Sequence, residues 1–254
     1  MVVYYACVMF IFGACFGSFY NVVGYRLPRN MSIVTPASHC TSCNHKLNIG
    51  DLFPIFSYLF LRGKCRYCKA KVGLFYPIFE TITGFLFLFC YLKYGFTKEL
   101  WISLIFISTS LIIIISDYQT MIIPDEVLLT ALILLLGVYG FGYGIEKVGS
   151  VLFHGFIAFS LMYILKLFGD FLFKRESMGG GDIKLMFIFG MVLGWPTAVL
   201  TIFFSAFIAL PASLFLINKE NSHEIPFGPF LVIAAMILLL SGFDMNSLIA
   251  VMTY

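Results

Sequence analysis

The chain has 254 residues, 61% of them hydrophobic and 11% charged, with a formal net charge of +3. Soluble domains carry about 25% charged residues, so this composition excludes an ordinary soluble globular protein, and so small a charge gives no footing for nucleic acid. At roughly 20 apolar residues per membrane-crossing helix, the length accommodates about eight transmembrane helices in one polytopic, all-α membrane bundle.

In chain order, the first apolar run covers residues 3–24. Neither a basic leader region nor a small-residue cleavage site stands out, so it reads as a retained span and not as a removed signal peptide. Residues 25–75 form the one sizeable polar segment and hold Arg26, Arg29, Lys46, Arg62, Lys64, Arg66, Lys69 and Lys71, which is 8 of the 16 basic residues. The positive-inside rule puts this loop in the cytoplasm and the N-terminus outside.

Within that loop, Cys40-Thr41-Ser42-Cys43 and Cys65-Arg66-Tyr67-Cys68 are two CxxC pairs separated by 21 residues. Each pair supplies two sulfurs from one tight turn, the pattern of a tetrahedral four-thiolate Zn²⁺ site with Cys40, Cys43, Cys65 and Cys68 as ligands. Lys46, Lys64 and Lys69 offset part of the thiolate charge, and a reducing cytoplasm argues against disulfides. His39 and His45 adjoin the first pair as rival ligands, but four cysteines already complete the set. Such a closed site leaves no position for catalysis; the metal would be structural, supporting a cytoplasmic domain of about 50 residues that is too small to build much core. Cys7, Cys15 and Cys90 fall in apolar runs and read as packing residues.

Further apolar runs follow at 76–94, 99–116, 126–144, 149–169, 183–196, 197–218 and 227–250, the sixth and seventh divided near Trp195-Pro196. Eight alternating spans leave 117–125, 170–182 and 219–226 as cytoplasmic loops. Lys166, Lys174, Arg175, Lys184 and Lys219 then join the inner side, against Lys93, Lys98 and Lys147 outside, a split of 13 to 3. No internal repeat stands out.

Asp117 follows five aliphatic residues and Ser116 at the end of the third run, and Asp182 follows Gly179, Gly180 and Gly181 at the start of the sixth. Acids at a membrane edge are costly and usually face a bundle interior or a watery cavity. The topology drawn from Lys and Arg alone puts both on one face, as an aspartyl protease requires of two carboxyl groups that share a proton. The glycines permit positive φ and close backbone approach. Simpler roles also fit: Asp182 as a helix N-cap, Asp117 as an ion-pair partner of Lys184, and Asp125, after Pro124, as the cap of the fourth span.

The run Gly179-Gly180-Gly181-Asp182, continued by Ile183-Lys184, resembles the GxGD second-aspartate motif of the type IV prepilin peptidases, and Asp117 to Asp125 (DYQTMIIPD) resembles their first-aspartate segment. GSFYNVVGYRLPR at 17–29, the cysteine loop, YPIFE at 76–80 and IPFGPFL at 225–231 extend the resemblance nearly end to end. It implies that Asp117 and Asp182, not Asp125, are catalytic, with Gly179, Gly180, Gly181 and Lys184 forming the active-site loop. The implied substrates are prepilin or pseudopilin precursors with a short basic leader and an apolar helix, cut after a glycine at the cytoplasmic face of the inner membrane. It further implies N-methylation of the new N-terminus with S-adenosylmethionine, with Gly63 and Glu80 associated with that activity. Glu80 reads equally well as a helix cap, and neither composition nor spacing marks a methyl-donor pocket.

The expected organisation is a first transmembrane helix at 1–24, a zinc-binding, methyltransferase-associated domain at 25–75, and a protease core at 76–254. A transporter would hold its acids near the bilayer midplane, not at one edge. A zinc-binding interaction module would leave the glycine-aspartate arrangement unexplained.

Overall fold

The computed structural model describes residues 1–174, 176–217 and 226–243, without the side chains of 212–217. Arg175, Lys219, Ile225 and the last residues of the expected final span, 244–250, lie outside the described residues. The helices are α1 (Val2–Arg26), the short α2 (Phe56–Phe60), α3 (Phe75–Tyr94), α4 (Lys98–Thr120), α5 (Asp125–Tyr143), α6 (Ile145–Phe173), α7 (Gly180–Leu193), α8 (Trp195–Ile217) and α9 (Gly228–Ser241). Among the described residues β-pairing is confined to two isolated bridges, His39 with Lys46 and Lys64 with Lys71.

Five helices, α1, α3, α4, α5 and α6, are long and apolar enough to cross a membrane, and shorter apolar helices accompany them. The protein is an all-α, multi-pass membrane protein. Two helix ends differ from the hydropathy reading. The third run continues four residues past Ser116 to Thr120, which puts Asp117 inside α4, and the sixth begins at Gly180, which puts Asp182 in the first turn of α7. Hydropathy averages over a window and loses polar residues at helix ends, whereas the backbone hydrogen bonds continue through them. Gly194 alone, at φ +80, separates α7 from α8, just before the expected break at Pro196.

The chain forms two compact units, Met1–Leu100 and Trp101–Tyr254. In the first, α1 packs along α3 through Gly13 and Gly17, a small-xxx-small pair that lets two backbones approach in lipid. A Cβ at Gly13 would lie 2.8 Å from the Thr83 carbonyl oxygen, and one at Gly17 would lie 3.0 Å from the Glu80 Cα.

In the second unit α7 is the helix that its neighbours grip. Phe189 meets Phe106 of α4 with ring centroids 5.3 Å apart. The Tyr139 hydroxyl of α5 donates to the Met191 carbonyl at 3.1 Å, and the Thr201 hydroxyl of α8 lies 3.8 Å from the Met186 sulfur. On the α6 side, a Cβ at Gly190 would lie 2.9 Å from the Gly155 Cα, so glycine on both helices permits the contact.

Candidate active site and metal centre

Asp117 and Asp182 are 6% and 8% exposed, which is unusual for carboxylates that make no ion pair. Local sequence sets the position of each. After Asp117, α4 closes on Met121 in the left-handed region, whose N–H donates to the Asp117 carbonyl at 2.9 Å, and the Ser116 hydroxyl holds the Ile122 carbonyl. The reversed chain then lays Ile123 over Gly181, where a Cβ would be 2.9 Å from the isoleucine side chain. This contact brings the start of α7 to the end of α4.

The two carboxylates converge on Gly228, the first residue of α9. A Cβ built there would lie 2.6 Å from Asp117 Oδ2 and 3.5 Å from Asp182 Oδ1, so the two oxygens are separated by no more than the sum of those distances. Asp117 Oδ2 is buried, and no described group donates a well-formed hydrogen bond to it, although the Gly228 N–H lies alongside. Two buried acids around a common gap can share a proton and present acceptors to one bound molecule.

The neighbouring residues divide differently from the sequence reading. Lys184 bonds both oxygens of Asp125, at 2.7 and 2.8 Å, and not Asp117. Asp125 is the first residue of α5 after an N-cap at Pro124 and makes no side-chain cap bond, so the expected capping role is replaced by this exposed ion pair. Asp182 is the third residue of α7, with Gly179 at the N-cap position and no side-chain cap. Gly179, Gly180 and Gly181 all keep negative φ, so the expected use of positive φ is corrected: room for Ile123 is what the structure takes from Gly181. Behind this run, Asp170 accepts hydrogen bonds from the Ser177 N–H and hydroxyl at 2.6 and 2.8 Å, tying Ser177 back to α6. Neither Gly228 nor Asp170 stood out in the sequence. For the former the signals were Phe-Gly-Pro opening an apolar run and its place in the IPFGPFL stretch of the resemblance, which assigned it no role.

In the first unit, the sulfurs of Cys40, Cys43, Cys65 and Cys68 all lie within 4.8 Å of one another, a set that can hold a metal ion. The two halves share one backbone design. Cys40 N–H donates to the His45 carbonyl and Asn44 N–H to the Cys40 carbonyl. Cys65 and Lys69 repeat this with Ala70 and Cys65. Asn44 and Lys69 each take positive φ, turning the chain just after the second cysteine of each pair. The Ser42 and Cys43 N–H groups pull the Cys40 thiol down to about 6, whereas Cys68, despite the Ala70 N–H, is pushed up to about 11 by desolvation and the three neighbouring sulfurs. His39 turns to the Ala37 carbonyl and His45 stacks on Tyr67, and neither belongs to the cluster.

Gly63 sits at φ +67, a conformation that favours glycine, and a Cβ there would also lie 2.6 Å from the Tyr58 hydroxyl, whose ring would have to shift. Glu80 is 8% exposed, and its Oε2 accepts the Ile55 N–H at 2.8 Å. Ile55 itself takes φ +64 and ψ −54, a strained conformation for a β-branched residue. The buried carboxylate therefore holds a costly turn ahead of α2, a link that no local pattern announces.

Helices long and apolar enough to cross a membrane, two buried aspartates meeting on a glycine and a four-cysteine cluster define the class: a multi-pass membrane protein with a buried acid pair and a candidate metal centre. Residues 11–94 match the bacterial peptidase A24 N-terminal domain and residues 104–214 the type IV leader peptidase family. The chain is 31% identical over 244 residues to the prepilin leader peptidase/N-methyltransferase of Bacillus subtilis (strain 168), covering 92% of this chain and 94% of that one. It is 30% identical over 264 residues to the Pseudomonas putida protein of that name, covering 94% and 91%. Against the Pseudomonas aeruginosa protein identity is 31% over 263 residues, with 91% and 89% covered. The chain belongs to the type IV leader peptidase family. No solved structure matches it.

Proposed function

We propose that the chain is an aspartyl endopeptidase of the cytoplasmic membrane that removes the short basic leader of prepilin-like or pseudopilin precursors, with Asp117 and Asp182 as the catalytic pair. The supporting observation is their convergence, both within 3.5 Å of one point above Gly228. In this reading one ionised carboxylate takes a proton from water as the water oxygen bonds to the scissile carbonyl carbon. The other, protonated, hydrogen-bonds the carbonyl oxygen. The C–N bond then breaks as a proton passes to the leaving amine, giving a free carboxylate and a new N-terminus. Rate should follow a bell-shaped pH profile whose two limbs belong to the pair and not to either residue. The 13 to 3 division of basic residues supports a cytoplasmic location for both the cysteine loop and the aspartates.

Detergent-solubilised protein incubated with a precursor should yield a shorter product on a gel. Asp117→Asn and Asp182→Asn should each abolish it while the protein still accumulates in membranes, and retained cleavage in either variant sinks the assignment.

The metal is Zn²⁺ in this proposal. Zn–S bonds of about 2.3 Å at tetrahedral angles set the sulfurs about 3.8 Å apart, and Cys40 Sγ lies 3.8 Å from Cys68 Sγ. Bound there, the ion supplies cross-linking of the two turns and no chemistry.

The relatives' names support a second step, N-methylation of the exposed amine with S-adenosylmethionine as donor. A protease-only reading is favoured by one observation: packing and backbone strain already account for Gly63 and Glu80. Mass spectrometry of the product formed with methyl donor present separates the two, since only a bifunctional enzyme adds a methyl mass.

A further inference from the structure

Gly228 begins α9 with a negative φ, so the backbone there makes no use of glycine's access to the left-handed region. What the position requires is space. A Cβ would lie 2.6 Å from Asp117 Oδ2, 3.2 Å from its Cγ and 3.5 Å from Asp182 Oδ1. Relief of that contact would push the Asp117 carboxyl away from the pair. The atom it would strike is also the buried Oδ2 that lacks a well-formed hydrogen bond. The Gly228 N–H is the described donor beside it, and an acceptor held this loosely keeps capacity for a further donor. The surface above Gly228 is where a donor can reach it while touching Asp182 as well.

We propose that the Gly228 backbone is the floor of the slot that receives the scissile peptide, making residue 228 a positioning residue that keeps the carboxylate pair open to it. The inference rests on the peptidase reading of Asp117 and Asp182. Side chains at 228 compete directly with the substrate backbone and its attacking water, while the apolar helix and basic leader of the precursor bind elsewhere. A substitution there therefore lowers turnover far more than it weakens precursor binding.

One purely conformational explanation must be separated. Gly228 precedes Pro229, and a residue before proline is disfavoured in the helical region when it carries a Cβ. Four chains settle the matter: wild type, Gly228→Ala, Pro229→Ala and the double variant, each assayed for kcat, for retention of precursor on immobilised enzyme and for thermal unfolding. The slot predicts that Pro229→Ala cleaves within a few-fold of wild type. Gly228→Ala and the double variant each lose about 100-fold in kcat, the scale of an ångström-sized displacement at a reacting centre, and still retain precursor.

Recovery of cleavage in the double variant overturns the slot, because removing Pro229 relieves backbone strain without making space at the carboxylates. Cleavage by Gly228→Ala at the wild-type rate overturns it too. Should Gly228→Ala fail to fold, the double variant, free of the proline constraint, decides alone. Failure of the wild-type chain to cleave counts against the peptidase reading itself.

Discussion

Asp125 and Asp182 show how similar sequence contexts separate once the helices are placed. Each stands near a helix start, but Asp182 is buried against Gly228 while Asp125 lies in solvent with Lys184. An exposed pair of this kind contributes at most about 1 kcal/mol. Asp125→Ala should consequently shift the unfolding midpoint little and leave precursor cleavage within a few-fold of wild type, measurable in one purified preparation. Gly63→Ala should behave differently, since placing a Cβ at positive φ costs about 1–2 kcal/mol before the Tyr58 contact is counted. Faster proteolysis of the 25–75 loop checks it. The acids and cysteines were legible because their rarity in an apolar chain and their CxxC spacing are written locally. Gly228 was not, because its meaning lies in two side chains more than 45 positions away.

Elements were legible where the signal was long. All eight apolar runs correspond to helices in the described residues, while Asp117 and Asp182 fell on helix ends that hydropathy cannot resolve. The α1–α3 contact was missed although Gly13 and Gly17 carry its spacing, because a glycine pair is informative only once a partner helix is known. Gly17→Leu should force α1 off α3 and destabilise the first unit by about 1–3 kcal/mol, the usual cost of overpacking, seen as an earlier unfolding transition. The loop also contains an acid-sensitive tie. Burial pushes the Asp51 carboxyl up, but hydrogen bonds from Arg66, at 2.6 Å, and from the Asn48 N–H outweigh it and hold the carboxyl below its ordinary value. A lowered folded pKa means that the stabilisation is whole above about pH 4 and disappears as pH falls through the lowered value. The extra protease resistance of wild type over Asp51→Asn should therefore be present at neutral pH and vanish in acid.

At the scale of the whole molecule, the two units answer to different stabilising forces. Residues 31–74 have one five-residue α-helix, one three-residue 3-10 turn at Ile49–Asp51 and two bridges, so the cysteine cluster is the main constraint on their fold. Cys43→Ser or prolonged chelation should make this loop protease-sensitive while the far-ultraviolet helical signal persists, because α4 to α9 are held by apolar packing that no metal touches. Loss of the helical signal along with the metal would overturn that division.

The length of α7 bears on where the reaction takes place. Fourteen residues rise about 21 Å, well short of a hydrocarbon layer of about 30 Å. Trp195, directly after the Gly194 turn, is the residue type that settles at the membrane–water boundary. On the proposed reading, with Trp195 at one boundary, α7 would end short of the other, and Asp182 in its first turn would sit at the rim that meets the incoming precursor. A precursor would then be cut with its apolar helix still in lipid, and the substrate would be spared extraction.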